Sequence, residues 1–149
     1  MNKYCFNLFM THVFDHEKLD VYRLELEFLN WVSELSSDIT RDSPQRRTEL
    51  LEQLDRASLS TLLNTAEGNA KRQGRQRAKF FDDARGSATE CAACLDAAVA
   101  KRFVAAERVK PGKEMLGRIA SMLTRLVNRF DAKPEQVVRS RSTSTAVES

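Results

Sequence analysis

Helix-breaking and turn-forming residues are scarce in this chain, which has only five glycines and three prolines among its 149 residues. A sandwich or barrel of many short strands needs frequent turns, so this scarcity favours a few long elements. A chain of this length forms one ordinary domain and can bury about 70% of the surface that it exposes when unfolded. We therefore expect an all-α domain.

Apolar residues recur at helical spacing in four segments of the chain. The first helix is expected to begin after Asp15, a candidate N-cap, and to end in the polar stretch 36–43. The second is expected from Pro44, preceded by Ser43 as its N-cap, to about Asn69. The residues of the second helix predicted to face inward are Leu50, Leu51, Leu54, Ala57, Leu59, Leu62, Leu63 and Ala66.

The third helix is expected from about Arg75 to Glu107, and Pro111 and Gly112 are expected to stop it and to start the fourth. In the fourth segment the apolar residues fall at spacings of three, four, three and four, as on the seam of a bundle helix: Leu116, Ile119, Leu123, Leu126 and Phe130. Four such helices with short connections predict an antiparallel up-down-up-down four-helix bundle over residues 15–133.

The two ends of the chain lack this periodicity. Residues 1–14 are mixed apolar and aromatic, and we expect a flexible lead-in; residues 134–149 are rich in Arg, Ser and Thr, and we expect a disordered tail. No apolar run reaches the roughly 18 residues of a membrane span, and the first residues do not resemble a signal peptide. With three cysteines and an ample core, a disulfide framework is not expected. We therefore expect a cytoplasmic protein with reduced thiols and no membrane partner.

The second helix carries a polar stripe among its leucines. Spacings of three, four, four and three place its members on one helix face: Gln53, Arg56, Ser60, Asn64 and Glu67. For the second helix alone, a solvated face explains the stripe as well as a buried one. The third helix, however, has Gly86, Ser87 and Glu90 inside its apolar segment.

An antiparallel turn near residue 73 places Arg56 level with about Glu90, and Ser60 level with about Ser87. If the Arg56–Glu90 pair is partly buried, loss of one partner costs about 3–5 kcal/mol. A helical glycine costs about 1 kcal/mol relative to alanine, so Gly86 is expected to permit a close approach of the two helices. We predict a structural polar core formed by Arg56, Ser60, Asn64, Glu67, Gly86, Ser87 and Glu90.

Two segments, one in the second predicted helix and one in the third, resemble the paired motifs of the four helix bundle protein family and have the same separation. The segment QLDRASLSTLLNTAEG at 53–68 is similar to Q-L-x-R-A-x-x-S-x-x-x-N-x-A-E-G, and ARGSATE at 84–90 is similar to A-x-G-S-x-x-E. The segment LDVY at 19–22 is similar to the family's L-x-V-W/Y start. The resemblance covers about residues 15–130. The chain departs from the pattern at Leu62, where many members have proline.

Members of this family are products of open reading frames in intervening sequences of large-subunit ribosomal RNA genes. The accessory variability determinant of diversity-generating retroelements is a more distant structural relative, and it works with a reverse transcriptase and nucleic acid. The resemblance implies a four-helix bundle, commonly assembled into a closed pentamer, with no established catalysis. It makes RNA or DNA and a reverse transcriptase candidate partners.

Charge is unevenly distributed along the chain. Residues 1–40 have three basic and seven acidic residues, residues 100–133 have nine basic and three acidic, and residues 69–79 have five basic and no acidic ones. The candidate nucleic-acid-binding residues are Lys71, Arg72, Arg75, Arg77, Lys79, Lys101, Arg102, Arg108, Lys110, Lys113, Arg118, Arg125 and Arg129.

Three interpretations of this charge are open. In the first, the charged residues form a solvated face. In the second, the acidic flank of one bundle docks on the basic flank of the next, and repetition of this contact closes a ring. In the third, the basic residues bind phosphates. Our working hypothesis joins the last two: a homo-oligomer, for which the resemblance implies a pentamer, binds RNA or DNA as an accessory factor. The alternative is a purely structural scaffold without nucleic-acid binding.

No residue pattern in the chain indicates catalysis, a cofactor or a metal site. Cys91 and Cys94 have C-x-x-C spacing, but without a second pair we expect core thiols. His12 and His16 are the only histidines, and Glu67 and Glu90 are accompanied by neither a nucleophile nor a phosphate-binding loop. We therefore expect a protein that is not an enzyme.

Overall fold

The computed structural model describes residues 13–42 and 49–132 of the chain. A 3-10 turn, Asp15–Lys18, precedes four α-helices: α1 Asp20–Asp42, α2 Glu49–Ala70, α3 Gly74–Ala100 and α4 Ala106–Asp131. No strand occurs within the described ranges. Most of the predicted lead-in, the predicted cap at Ser43 and Pro44, and the predicted tail lie outside the described residues.

Each helix packs against two others. α2 lies next to α1 and α3, and α4 lies next to α3 and α1, whereas the backbones of the diagonal pairs, α1 with α3 and α2 with α4, do not approach each other closely. Consecutive helices are therefore antiparallel neighbours around one core, which confirms the predicted up-down-up-down four-helix bundle. Large side chains from all four helices fill that core and are at most 1% exposed: Phe28, Leu35, Leu54, Phe81, Leu95, Ile119 and Leu123.

The first helix is longer than predicted, because the polar stretch at 36–42 remains helical. The Thr40 hydroxyl donates to the Ser36 carbonyl oxygen at 2.7 Å, so this polar side chain is satisfied within the helix. Ile39 is buried in the core, and Asp38 accepts hydrogen bonds from Arg41 and Arg108. Tertiary packing and these ion pairs override the weak helix propensity of the segment.

The predicted boundary between the third and fourth helices is wrong. α3 ends at Ala100, and Pro111 is the sixth residue of α4 rather than its start. The turn is a Schellman motif, in which the Phe103 amide donates to the Ala98 carbonyl oxygen at 2.9 Å. Arg102 occupies its left-handed position at φ 59°, where glycine is usual. The turn therefore lacks the glycine that would have marked it in the sequence. Pro111 is tolerated inside α4 because its missing N–H removes only one helical hydrogen bond, close to the start of the helix.

Two leucines predicted to face inward are on the surface of α2. Leu59 is 45% exposed and Leu63 is 57% exposed, whereas Leu51, Leu54 and Leu62 are buried. α2 has only two helical neighbours, so its apolar face is wider than the surface that α1 and α3 cover.

Contact between α1 and α4 depends on Gly112, because any side chain at this position would collide with the core. A Cβ atom at Gly112 would lie 2.3 Å from the Trp31 ring, whereas a Cβ atom at Gly117 would meet nothing within 4 Å. The Trp31 ring stacks on Phe28 at 5.8 Å and is 9% exposed, so it has little room to move.

Alanine at these two glycines of α4 is expected to have opposite effects on stability. Gly112→Ala overpacks the contact with Trp31 and should lower the free energy of unfolding by about 1–3 kcal/mol. Gly117→Ala removes a helical glycine at an open position and should raise it by about 0.5–1 kcal/mol. Urea unfolding followed by circular dichroism measures both changes. Equal changes in the two variants would contradict the assigned α1–α4 contact.

Candidate nucleic-acid interface

A seam of polar side chains joins α2 to α3 along their outer edge. The Ser60 and Ser87 hydroxyl oxygens are 2.9 Å apart, and the Asn64 side-chain amide donates to the Ser60 carbonyl oxygen at 2.9 Å. The Gln53 amide donates to a carboxylate oxygen of Glu90. The contact between Ser60 and Ser87 agrees with the register predicted for an antiparallel turn near residue 73.

The predicted direct ion pair between Arg56 and Glu90 does not form. The Arg56 guanidinium donates to the Gln53 side-chain oxygen at 2.8 Å, so Gln53 lies between the two charges. Both Arg56 and Glu90 are exposed. Glu67 is exposed as well and pairs with Lys71 at 3.0 Å. The predicted polar core is therefore a seam at the surface.

Close approach of α2 and α3 depends on Gly68 and not on Gly86. A Cβ atom at Gly86 would meet nothing within 4 Å, because this residue is on the exposed side of α3. A Cβ atom at Gly68 would lie 3.0 Å from the Phe80 Cβ atom and 3.1 Å from the Phe81 ring. The small residue that matters is therefore close to the α2–α3 turn.

The predicted nucleic-acid-binding residues separate into two groups at opposite ends of the bundle. Phe130, near the end of α4, packs on Phe81 with the ring centres 5.9 Å apart, and its carbonyl oxygen is 3.0 Å from the Cβ position of Gly74. The α4 C-terminus and the α2–α3 turn therefore meet. We call this end the basic end and define it by Lys71, Arg72, Arg75, Arg77, Lys79, Arg125 and Arg129.

The second group, which we call the far end, is defined by Lys101, Arg102, Arg108, Lys110 and Lys113. Lys110 is about 28 Å from Arg129 along the α4 axis, at 1.5 Å per residue. Arg118 lies between the groups, on the exposed face of α4. The thirteen residues thus do not form one surface.

Ion pairs occupy much of the far end. Arg108 pairs with Asp38 at 2.8 Å, and its guanidinium lies 5.6 Å from the Trp31 ring centre. The hydrogen bond from Arg108 lowers the pKa of Asp38, and Arg41 adds to this effect. Lys113 pairs with Asp96.

An open cleft of about 760 Å³ is present at the far end. The charged residues in its wall are Asp38, Arg41, Asp42, Arg102 and Arg108, so charges of both signs line it.

The basic end has more cations without a carboxylate partner. Lys71 pairs with Glu67, Lys79 pairs with Asp83 at 2.8 Å, and Arg77 donates to the Asn69 side-chain oxygen at 3.0 Å. Its four other members are exposed and have no carboxylate within ion-pair distance among the described residues: Arg72, Arg75, Arg125 and Arg129.

One aromatic ring holds two arginines of the basic end. The guanidinium carbon of Arg77 is 4.2 Å from the Phe130 ring centre, and that of Arg129 is 5.6 Å from the same centre. Arg77 comes from α3 and Arg129 from α4, so the ring brings cations of two helices together. α1 begins at this end too, with Asp15 and Asp20 exposed and Asp15 paired with Lys18 at 3.1 Å.

Sequence reasoning missed a buried carboxyl group, Glu25 of α1. Glu25 is 0% exposed; the Thr65 hydroxyl donates to its Oε1 at 2.6 Å, and its Oε2 has no hydrogen-bond partner among the described residues. Burial raises the pKa of Glu25 to about 8, against the effect of the Thr65 hydrogen bond. The signal was present in the sequence, because Glu25 falls at helical spacing between the apolar residues Val21 and Phe28.

The two described thiols are in the core, as predicted. Cys91 and Cys94 are free and buried. Burial raises the pKa of Cys91 to about 12 and also raises the pKa of Cys94, so both are protonated near neutral pH. His16 stacks against Phe14, whereas His12 lies outside the described residues. No helix in the described part of the chain is long and apolar enough to cross a membrane.

Comparisons with known proteins show a family for this chain and a solved structure that is similar to it. The family model described as 23S rRNA-intervening sequence protein matches residues 17–125, which confirms the resemblance seen in the motifs. A crystal structure of a protein of unknown function from the S23 ribosomal protein family of Bacteroides thetaiotaomicron is similar, with a TM-score of 0.65 and 17% identity. The match covers 72% of this chain and 97% of that one, and it shows the fold alone. No curated protein matches the chain.

Glu25 is expected to make stability fall as the pH rises. The folded state keeps the Glu25 proton up to about pH 8, whereas the unfolded state loses it near the ordinary glutamate pKa of 4.5. The free energy of unfolding should therefore decrease between these values, by up to about 1.4 kcal/mol per pH unit. Glu25→Gln cannot lose this proton, so its free energy of unfolding should not show this decrease. The difference in free energy of unfolding between the variant and the parent should therefore shift in favour of the variant as the pH rises.

Urea unfolding at pH 5, 6, 7 and 8 measures this difference. Glu27→Gln is the matched control, because Glu27 is exposed on the same helix. It should follow the parent at every pH. Parallel pH profiles for the parent and Glu25→Gln would show that the buried carboxyl group is not protonated in the folded protein.

Proposed function

The chain belongs to the 23S rRNA-intervening sequence protein family, and from this membership and the charge distribution we propose that it is a nucleic-acid-binding accessory protein. It acts without catalysis, as a homo-oligomer with an expected five subunits. The basic end of each bundle holds backbone phosphates of RNA or DNA.

The observation that carries this proposal is the concentration, at the basic end, of arginines that have no carboxylate partner among the described residues. Arg72 and Arg75 follow α2 within the acid-free segment 69–79, and Arg129 reaches the same end from α4. Guanidinium groups bind phosphate oxygens through two parallel hydrogen bonds. Release of counterions from the phosphates then gives an affinity that is independent of sequence and falls with salt.

Oligomerisation repeats the modest positive charge of the basic end in every subunit. A homo-oligomer presents one basic end per subunit to the same nucleic acid, and the linked contacts bind more strongly than a single one. The exposed acids Glu27 and Glu34 of α1 and the exposed Arg118 of α4 give each bundle flanks of opposite charge. Head-to-tail docking of these flanks is the contact that we propose for ring closure.

The buried thiols support a function that does not involve catalysis. Cys91 and Cys94 are the strongest nucleophiles among the described residues by residue type, and burial keeps both protonated. In the far-end cleft, the Asp38 carboxylate is held in ion pairs with Arg41 and Arg108 rather than left to act as an acid or base.

A purely structural scaffold is the second candidate. It is favoured by the ion pairs that already occupy four of the candidate binding residues: Lys71, Lys79, Arg108 and Lys113. A scaffold of this kind would assemble with itself or with a protein such as a reverse transcriptase. Light scattering at several protein concentrations, followed by RNA binding at two salt concentrations, separates the candidates. If the protein is an oligomer but binds no RNA at low salt, the structural scaffold is the one of the two candidate functions that remains.

Removing two arginines of the basic end is expected to weaken binding. In Arg72→Gln with Arg75→Gln, the affinity for an RNA hairpin or a DNA duplex should fall roughly tenfold at low salt, and by a similar factor for different sequences. The slope of log affinity against log salt, measured by gel shift between about 50 and 200 mM salt, should decrease by about 2.

The matched control removes the same charge from the other end of the bundle. Lys101→Gln with Lys110→Gln changes two exposed cations of the far end and should retain parental affinity and salt slope. Equal losses in both double variants would mean that only net charge matters. Parental binding by the arginine variant would contradict the basic end as the phosphate site.

A further inference from the structure

Phe14 presents an aromatic ring to solvent just before the 3-10 turn. It is 62% exposed, whereas Phe28 and Phe81 are at most 1% exposed in the core. A single exposed apolar residue is common on protein surfaces, so the surroundings of the ring determine what it can bind.

Hydrogen bonds on both sides hold the Phe14 backbone in place. The Phe14 amide donates to a carboxylate oxygen of Glu17 at 3.0 Å, and the Val13 amide donates to the same oxygen at 2.6 Å. The Glu17 amide donates back to the Phe14 carbonyl oxygen at 3.2 Å. The ring therefore starts from a fixed backbone, which reduces the entropy that is lost when a ligand binds to it.

One side of the Phe14 ring is already stacked on another ring. The ring centres of Phe14 and His16 are 5.7 Å apart with an angle of 14° between the planes. His16 in turn meets Tyr22 of α1 edge-on, with the centres 4.7 Å apart. Phe14 is thus the outer member of a row of three rings. Because His16 lies on one side and most of Phe14 is exposed, a further flat ring can stack on the other side.

This row of rings is at the basic end of the bundle. The Thr65 hydroxyl donates to Glu25 at 2.6 Å, and α1 is antiparallel to α2. The start of α1, five residues before Glu25, is therefore level with the C-terminus of α2, five residues after Thr65. The turn Asp15–Lys18 also lies against α2. Phe14 precedes this turn, and the acid-free segment 69–79 begins at the same end.

The other phenylalanine rings that reach the surface at the basic end, Phe80 and Phe130, have cations over them. Two lysine ammonium groups lie 4.8 and 5.3 Å from the Phe80 ring centre, and two guanidinium groups lie 4.2 and 5.6 Å from the Phe130 ring centre. No cation of the described residues lies over Phe14 in this way. Of these three rings, Phe14 is the one best placed to stack on a ligand.

The charges beside Phe14 are acidic, since Asp15 and Asp20 are both exposed. They repel a phosphate group but not an uncharged nucleobase. Every nucleobase has a flat π-face, so stacking on an aromatic ring accepts any base. A nucleic acid with its phosphates on the arginines of the basic end therefore meets Phe14 with a base.

We propose that Phe14 is a stacking platform for one unpaired nucleobase of the nucleic acid bound at the basic end. This inference rests on the proposed function and narrows its ligand to RNA or DNA that has unpaired bases beside a duplex, such as a hairpin. Bases inside a duplex stack on one another and offer no free face to Phe14.

Two DNA hairpins with equal numbers of phosphates test the platform in the full chain. One has an ordinary loop, and the other has the same loop built from abasic nucleotides, so they differ only in the unpaired bases. Titration at low salt, followed by fluorescence anisotropy, should show that the parent binds the first hairpin about 5- to 100-fold more tightly, as expected for one stacked base. In Phe14→Leu, which remains apolar but lacks the ring, the two affinities should be nearly equal. The abasic hairpin should bind this variant as it binds the parent.

Two further variants separate stacking from a structural effect. Phe14→Trp offers a larger ring and should retain or increase the preference for the hairpin with bases. Val13→Ala shortens the neighbouring apolar side chain, which is 72% exposed and whose amide donates to the same carboxylate. It should bind both hairpins as the parent does.

The outcomes distinguish this platform from the proposed function. If the parent binds both hairpins equally, or if Phe14→Leu keeps the parental preference, the platform is wrong while phosphate binding at the basic end stands. If Phe14→Leu binds both hairpins more weakly by the same factor, the ring supports the fold or the assembly and no base stacks on it. If the parent binds neither hairpin at low salt, the proposed nucleic-acid function is wrong, and the platform is wrong with it.

Discussion

Gly68 lets α2 lie against Phe80 and Phe81 at the start of α3, and this contact sets the positions of both the polar seam and the basic end. It fixes the two helices at the point where they turn, and the hydroxyls of Ser60 and Ser87 meet farther along the same register. Because Phe81 also packs on Phe130, the α2–α3 turn is held next to the end of α4. The basic end is therefore a consequence of core packing near the turn.

The helices and their order could be predicted because apolar periodicity reports which faces are buried. The α3–α4 turn could not, since Arg102 adopts the left-handed conformation that usually marks a glycine. Local spacing predicted that α2 and α3 share polar partners, but it could not show that Gln53, rather than Arg56, contacts Glu90. Glu25 could have been found, because its helical position is an inward one. The division of the basic residues follows from helix length, which places Lys110 and Arg129 about 28 Å apart.

Family membership and surface charge contribute different parts of the functional account. The match over residues 17–125 assigns the bundle, which carries both the α2–α3 seam and most of the basic residues. Ion pairs such as that of Arg108 with Asp38 use far-end cations to hold α1 against α4. At the basic end, Arg72 and Arg75 have no such structural partner among the described residues. This contrast is why the proposed phosphate contacts are centred on one end of the bundle.

Hydrogen–deuterium exchange of the full chain, with and without an RNA hairpin at low salt, tests this central claim most directly. Mass spectrometry resolves the exchange of separate peptides whatever the number of subunits. Peptides that cover residues 69–79 and 125–131 should exchange more slowly in the presence of RNA, and the effect should disappear at high salt. Protection confined to residues 101–113, or no protection at any salt concentration, would contradict the account.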